Sequence, residues 1–151
     1  MFRRLFHVNI CVRDIERSIR FYESLGFTKV DDFILDDDNV GEAMGIPARK
    51  MRAVFMRLGD DPQSPVLDIL QFIDPPPQGE PYPTLNNIGI CRLAYLVDDI
   101  DATYEKLKAL NVDFVGPLKR MNFPGNVKVN AILFRDPDGT VLEAFSRKAM
   151  R

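Results

Sequence analysis

From Leu5 to Val12 the chain alternates two kinds of position. His7 shares one strand face with Leu5, Asn9 and Cys11, while Phe6, Val8, Ile10 and Val12 make up an apolar face suited to lie beneath a helix. The period then changes. Behind Asp14, apolar residues recur at Ile15, Ile19, Tyr22 and Leu25, the spacing of one helix face. The same change occurs behind Asp99, with Ile100, Tyr104, Leu107 and Leu110. Both aspartates stand where a carboxylate can accept the free N–H groups of a first helical turn. Gly26 and Asn111 follow the two helices, and these residue types best tolerate the left-handed conformation that closes a helix.

These likenesses are parts of one repeat. Shifted by 85 positions, Val12 falls on Val97, Asp14 on Asp99, Ile15 on Ile100, Leu25 on Leu110 and Gly26 on Asn111. Further along, the offset becomes 75, aligning Asp61-Pro62 with Asp136-Pro137 and Val66-Leu67-Asp68 with Val141-Leu142-Glu143. The first copy therefore carries an insertion of about ten residues, read as a loop over Asp36–Lys50 with one short helical turn around Glu42–Met44. Asp136-Pro137-Asp138-Gly139 predicts a turn between strands over Asn130–Phe134 and Thr140–Ser146. The expected organisation is a single domain over residues 1–151. It comprises a first strand-helix-strand-strand-strand module over 5–73, a proline-rich linker over 74–87 and a second module over 88–147. Neither half could bury both faces of its sheet alone, so the copies are expected to pack together.

Composition narrows the function classes. Hydrophobic residues make up 46% and charged residues 28%, as in ordinary globular proteins. A net charge of -2 gives no reason to expect nucleic acid as a partner, and no apolar run approaches the roughly 20 residues of a membrane span. The basic opening Met1–His7 lacks a following apolar core, and the two cysteines, Cys11 and Cys91, fit neither a disulfide framework nor a zinc spacing. A cytoplasmic protein with buried thiols is the expectation. There is no serine-histidine-acid pattern, phosphate-binding glycine loop or nucleotide fingerprint.

The candidate chemistry lies in strands. Asp68 alternates with Val66, Leu70 and Phe72, and Glu143 with Val141 and Phe145; an acid flanked by large apolar residues is costly without a partner. The repeat makes His7 equivalent to Arg92 and Asp68 equivalent to Glu143. Packing of the copies about a pseudo-twofold axis would let all four converge.

His7-Val-Asn-Ile-Cys-Val-Arg-Asp14, with Ser18, Phe21-Tyr22 and Leu25-Gly26-Phe27, resembles the opening signature of the vicinal oxygen chelate superfamily. That group includes glyoxalase I, methylmalonyl-CoA epimerase, extradiol dioxygenases and the bleomycin and fosfomycin resistance proteins. Leu93–Asp101 and Phe134–Glu143 resemble its second-half signatures. The resemblance implies an α+β fold of two tandem βαβββ modules forming an open, cup-shaped eight-stranded barrel, within a homodimer. It also implies a divalent ion held from four positions, which here are His7, Asp68, Arg92 and Glu143. Arg92 departs from the pattern, because metal-binding members usually carry histidine there and a guanidinium offers no lone pair.

Two readings follow. In the first the metal site is degraded, no cofactor is bound, and Arg92, His7, Asp68 and Tyr95 contact a small oxygenated or anionic ligand; with His7 protonated, the charges of Arg92, His7, Asp68 and Glu143 cancel. Glu143 is then a candidate base for a proton shift. In the second, His7, Asp68 and Glu143 hold Fe, Mn, Ni, Co or Zn in a lyase or isomerase like glyoxalase I or the epimerase, where the ion polarises adjacent substrate oxygens. A non-catalytic interaction domain, with the four charges as a buried structural cluster, is a third possibility. Lys119–Met121 and Arg49–Arg52 read as basic loops, and Met121–Asn126 as a lid.

Overall fold

A computed structural model describes residues 1–149, with nothing stated for the side chains of the last two of these. The chain forms two compact units, Met1–Gly79 and a second beginning at Glu80. Among the described residues they contain nine strands and three helices, an α+β fold of two tandem βαβββ modules.

In the first unit β1 (His7–Cys11), α1 (Ile15–Ser24), β2 (Thr28–Leu35), α2 (Asp38–Ala43), β3 (Lys50–Arg57) and β4 (Val66–Asp74) follow in order, with the sheet arranged β1-β4-β3-β2. β1 runs parallel to β4, and the other neighbours are antiparallel. The helix boundaries have the expected chemistry. Asp14 accepts the Arg17 amide at 3.0 Å, and Gly26 closes α1 with a φ of 99°. Gln71 reaches from β4 to accept the Ile15 amide at 2.9 Å, tying the start of α1 to the sheet. Ile15, Ile19 and Tyr22 turn inward, with Val54, Met56, Leu67 and Ile69 buried in the strands. Each such side chain fully buried stabilises the fold by about 1.5–3 kcal/mol.

The insertion is more ordered than a loop. Asp37 accepts the Asn39 amide and begins a six-residue helix, α2, earlier than the expected turn. Val40 packs on a cluster of Ala48, Met51, Ala53 and Leu70, joined by Leu35 and Phe72. The short apolar anchors Val40 and Ala48, scattered among acids and glycines, give no periodicity of their own. Gly41 is required by contact rather than by conformation, since a Cβ there would meet the Ala48 carbonyl at 2.4 Å.

The second unit holds β5 (Leu93–Leu96), α3 (Ile100–Ala109), β6 (Asp113–Phe114), β7 (Lys119–Phe123), β8 (Val127–Arg135) and β9 (Val141–Ala149). Its sheet runs β5-β9-β8-β6, with β7 also paired to β8. Asp99 accepts from both Asp101 and Ala102, and Asn111 ends the helix with a φ of 51°. The strand expected after α3 is broken into β6 and β7, which is why the count is nine rather than eight. Gly116-Pro117 lies at the break, and proline cannot donate to the ladder. Lys119–Met121 is thus strand rather than loop, and Met121–Asn126 is the end of β7 and a hairpin turn rather than a lid. On the other side, the basic run at Arg49 continues directly into β3. There Arg52 bridges Asp32 and Glu16, and the guanidinium holds the Asp32 carboxyl well below the usual carboxylate range.

Candidate functional site

The strand faces sort the polar residues. In β4, Leu67, Ile69 and Gln71 lie on the α1 side, which leaves Asp68, Leu70 and Phe72 on the opposite face. The β1–β4 register sets Asn9 beside Asp68, and Asn9 Nδ2 donates to Asp68 Oδ2 at 2.7 Å. His7 Nε2 lies 3.9 Å from the same oxygen, at the edge of ion-pair distance when the ring is protonated. Asp68 is only 7% exposed, and its other oxygen, Oδ1, is buried without a hydrogen-bond partner. Leaving such a group unsatisfied costs about 1–3 kcal/mol or more for a charge, so its neighbourhood is unusual for a settled core.

Around Asp68 stands a group of aromatic rings. β3 places Phe55 directly opposite Asp68. The Phe55 ring lies 5.3 Å from Phe33, 5.9 Å from Phe6 and 6.0 Å from His7, centre to centre. Arg57, two residues beyond Phe55 and hence on the same face, has a buried Nε that also lacks a partner.

The second unit presents the equivalent pair. Glu143, 6% exposed, accepts from Arg92 Nε at 2.6 Å. That charge-assisted bond holds the guanidinium above its already high range and fixes one edge of it. The Arg92 side chain is 42% exposed, and its Nη1 touches the thiol of Cys91 at 3.7 Å. The donors on the Nη side therefore lie at an accessible position, in the planar fork that suits a carboxylate or phosphate. The thiols are not buried as expected: Cys91 is half-buried, and Cys11, on the edge strand β1, is exposed. Tyr95 belongs elsewhere: the register pairs Ala94 with Glu143 and Tyr95 with Ala144, so Tyr95 occupies the opposite face. Burial pushes its phenol up to about 12.

The structure thus joins His7 with Asp68 in one unit and Arg92 with Glu143 in the other. Sequence reasoning missed Asn9, Phe33, Phe55 and Arg57 as neighbours of Asp68. Alternation along β1 did place Asn9 on the His7 face, and the same alternation read along β3 would have grouped Phe55 with Arg57.

The donor set does not fit a divalent ion well. Glu143 already holds a guanidinium at 2.6 Å, and Arg92 contributes a permanent positive charge at a position that would need a lone pair. Among the described residues no three His, Cys, Asp or Glu side chains form a group able to hold a metal. Among the described residues no helix is long and apolar enough to cross a membrane.

Comparison with known proteins agrees with this architecture. Residues 4–144 match the model of the Glyoxalase/Bleomycin resistance protein/Dioxygenase superfamily, whose members bind small molecules and often dimerise. The uncharacterized protein YwbC of Bacillus subtilis (strain 168) is 28% identical over 148 residues, covering 97% of this chain and all of the relative. A glyoxalase family protein from Bacillus cereus superposes with a TM-score of 0.82 at 18% identity, covering 97% of this chain and 95% of its own. The trypanothione-dependent glyoxalase I of Leishmania major gives 0.68 at 20% identity, covering 96% and 87%. A family match over residues 4–144, nearly the whole length, establishes that this chain belongs to the Glyoxalase/Bleomycin resistance protein/Dioxygenase superfamily.

Proposed function

We propose that the chain is a small-molecule-binding member of its superfamily in which an ion pair has replaced part of the metal site, and that Arg92 anchors an oxygenated or anionic ligand. The Arg92–Glu143 contact of 2.6 Å carries this reading. One edge of the guanidinium is fixed by a buried carboxylate, while the half-exposed remainder keeps N–H donors for a ligand. In the first unit, His7 and Asp68 offer a second polar pair for a ligand. In a catalytic member, Glu143 would orient Arg92 and its second oxygen would be the group that accepts a substrate proton.

Titration calorimetry with benzoate and inorganic phosphate tests the anchor. A charge-assisted bond contributes about 1.5–3 kcal/mol, so Arg92→Gln should weaken binding roughly 10- to 100-fold. Binding of both anions at wild-type strength in that variant would remove Arg92 from the site. Metal content measured on the same preparation gives an independent check. A near-stoichiometric divalent ion, lost in His7→Ala and Glu143→Ala, would overturn the reading in favour of the metal-dependent lyase or isomerase.

A further inference from the structure

The buried side-chain atoms found without a partner among the described residues are Arg57 Nε and Asp68 Oδ1. One is a donor and the other an acceptor, and both sit on one face of one sheet. The β3–β4 register pairs Phe55 with Asp68, which makes Arg57 and Asp68 diagonal neighbours, about 7–8 Å apart at the backbone. Arginine and aspartate at such positions ordinarily pair directly. Here Asp68 spends its other oxygen on Asn9, and no ion pair joins it to Arg57 among the described residues. Two complementary unsatisfied atoms at this spacing describe the outline of something that presents an acceptor to one and a donor to the other.

The surroundings specify its body. Phe55 lies between the two polar residues, packed edge-on against Phe33 and Phe6, which are 38% and 56% exposed. Edge-on clusters of this kind accept a further flat ring readily. At the far end of the face, Val40 and Ala48 of the insertion already cover Leu70 and Phe72.

We propose that this face binds the amide edge of an aromatic molecule, with the carbonyl accepting from Arg57 Nε and the adjacent N–H donating to Asp68 Oδ1. The ring packs on Phe55 between Phe6 and Phe33. Both polar atoms are closed to water, so entry requires the exposed rings to swing aside. An anion would meet the Asp68 charge and a simple amine the Arg57 charge, whereas an amide offends neither. The inference rests on the reading of Asp68 as a ligand contact and is independent of Arg92 as anchor.

The test is titration of the full chain with benzamide, methyl benzoate (acceptor only) and benzylamine (donor only), followed by calorimetry or ligand-observed NMR. Benzamide should bind at least ten-fold more tightly than either control. Arg57→Lys keeps the charge but removes the Nε donor, and Asp68→Leu removes the acceptor; each should abolish the ten-fold preference while thermal melting confirms folding. If the three probes bind equally, or if Arg57→Lys keeps the preference, the proposal fails. A high-resolution structure with benzamide present, but a lone water bridging Arg57 and Asp68, would also overturn it. Benzoate binding reports on Arg92 separately, so that reading can fail while the amide preference stands, and the reverse.

Discussion

Gly41 offers a quantitative test of how the insertion is seated. It lies in the middle of α2, where alanine is ordinarily the better residue by about 1 kcal/mol. Propensity alone therefore predicts that Gly41→Ala stabilises the protein. Contact predicts the opposite. A Cβ would approach the Ala48 carbonyl oxygen at 2.4 Å, the Ile46 carbonyl at 2.8 Å and the Ala48 amide nitrogen at 2.9 Å. All three are backbone atoms, and the same stretch is held by the bond from the Ile46 amide to the Gly41 carbonyl at 3.0 Å. No flexible side chain can give way, so either α2 lifts or Ala48 leaves its place beside Met51 and Leu70. Overpacking of this kind costs about 1–3 kcal/mol, and losing the Ala48 and Val40 contacts adds to it. The clash outweighs propensity, leaving a net loss of about 1–2 kcal/mol. Urea denaturation of Gly41→Ala against wild type measures it directly, with Glu42→Ala, an exposed neighbour, as control. An unchanged or higher midpoint for Gly41→Ala would show that α2 is not lodged against residues 46–48.

Three other outcomes follow from the local chemistry. Asp99→Ala should cost about 1 kcal/mol, because its Oδ1 serves two first-turn amides, whereas Asp14→Ala removes one such bond and should cost less; chemical denaturation ranks them. Asp32 has a depressed carboxyl in the folded state, so its contribution is complete above the ordinary aspartate range and is lost as pH falls through the lowered value. NMR titration should find Asp32 ionised at pH 3 in wild type and returned toward ordinary aspartate behaviour in Arg52→Ala. The Tyr95 phenol, raised by burial to about 12, keeps its stabilising effect below the unfolded value of about 10 and loses it as pH climbs toward 12. Absorbance titration should show a late tyrosine component that shrinks by one residue in Tyr95→Phe.

How much of this could be read from the chain depends on the range of the interactions. Asp14, Asp99, Gly26 and Asn111 act within a turn of their own position, so their roles follow from neighbours in sequence, and the repeat doubles the signal. The βαβββ order follows from the change of period. Arg52 looked like part of a basic loop because its partners, Glu16 and Asp32, lie 36 and 20 positions away. Tyr95 looked like a ligand contact because its strand was read without the partner strand; the pairing with Ala144 sets its face. Asp68 was legible as a costly acid. Its association with Phe55 and Arg57 was not, since register between β3 and β4 depends on a turn and a bulge that no single strand encodes.

Gln71 and Ser146 occupy equivalent places in the repeat, yet they bind different things. The longer side chain clips the first amide of α1 to its sheet; the Ser146 hydroxyl instead takes the Asn130 amide from the neighbouring strand at 3.0 Å. In the second unit a cleft lined by Asp99, Ile100, Asn130 and Ser146 opens beside the start of α3. The two halves, alike in outline, are therefore different mechanical objects. In the first, helix and sheet are riveted at a shared point and must shift together. In the second, the start of the helix is joined to the sheet by an exposed ion pair from Arg120 of β7 to Asp101, and among the described residues no side chain of the sheet accepts the Ile100 amide, so amide exchange at Ile100 should run ahead of that at Ile15, and the duplicated module has one half more firmly fastened than the other.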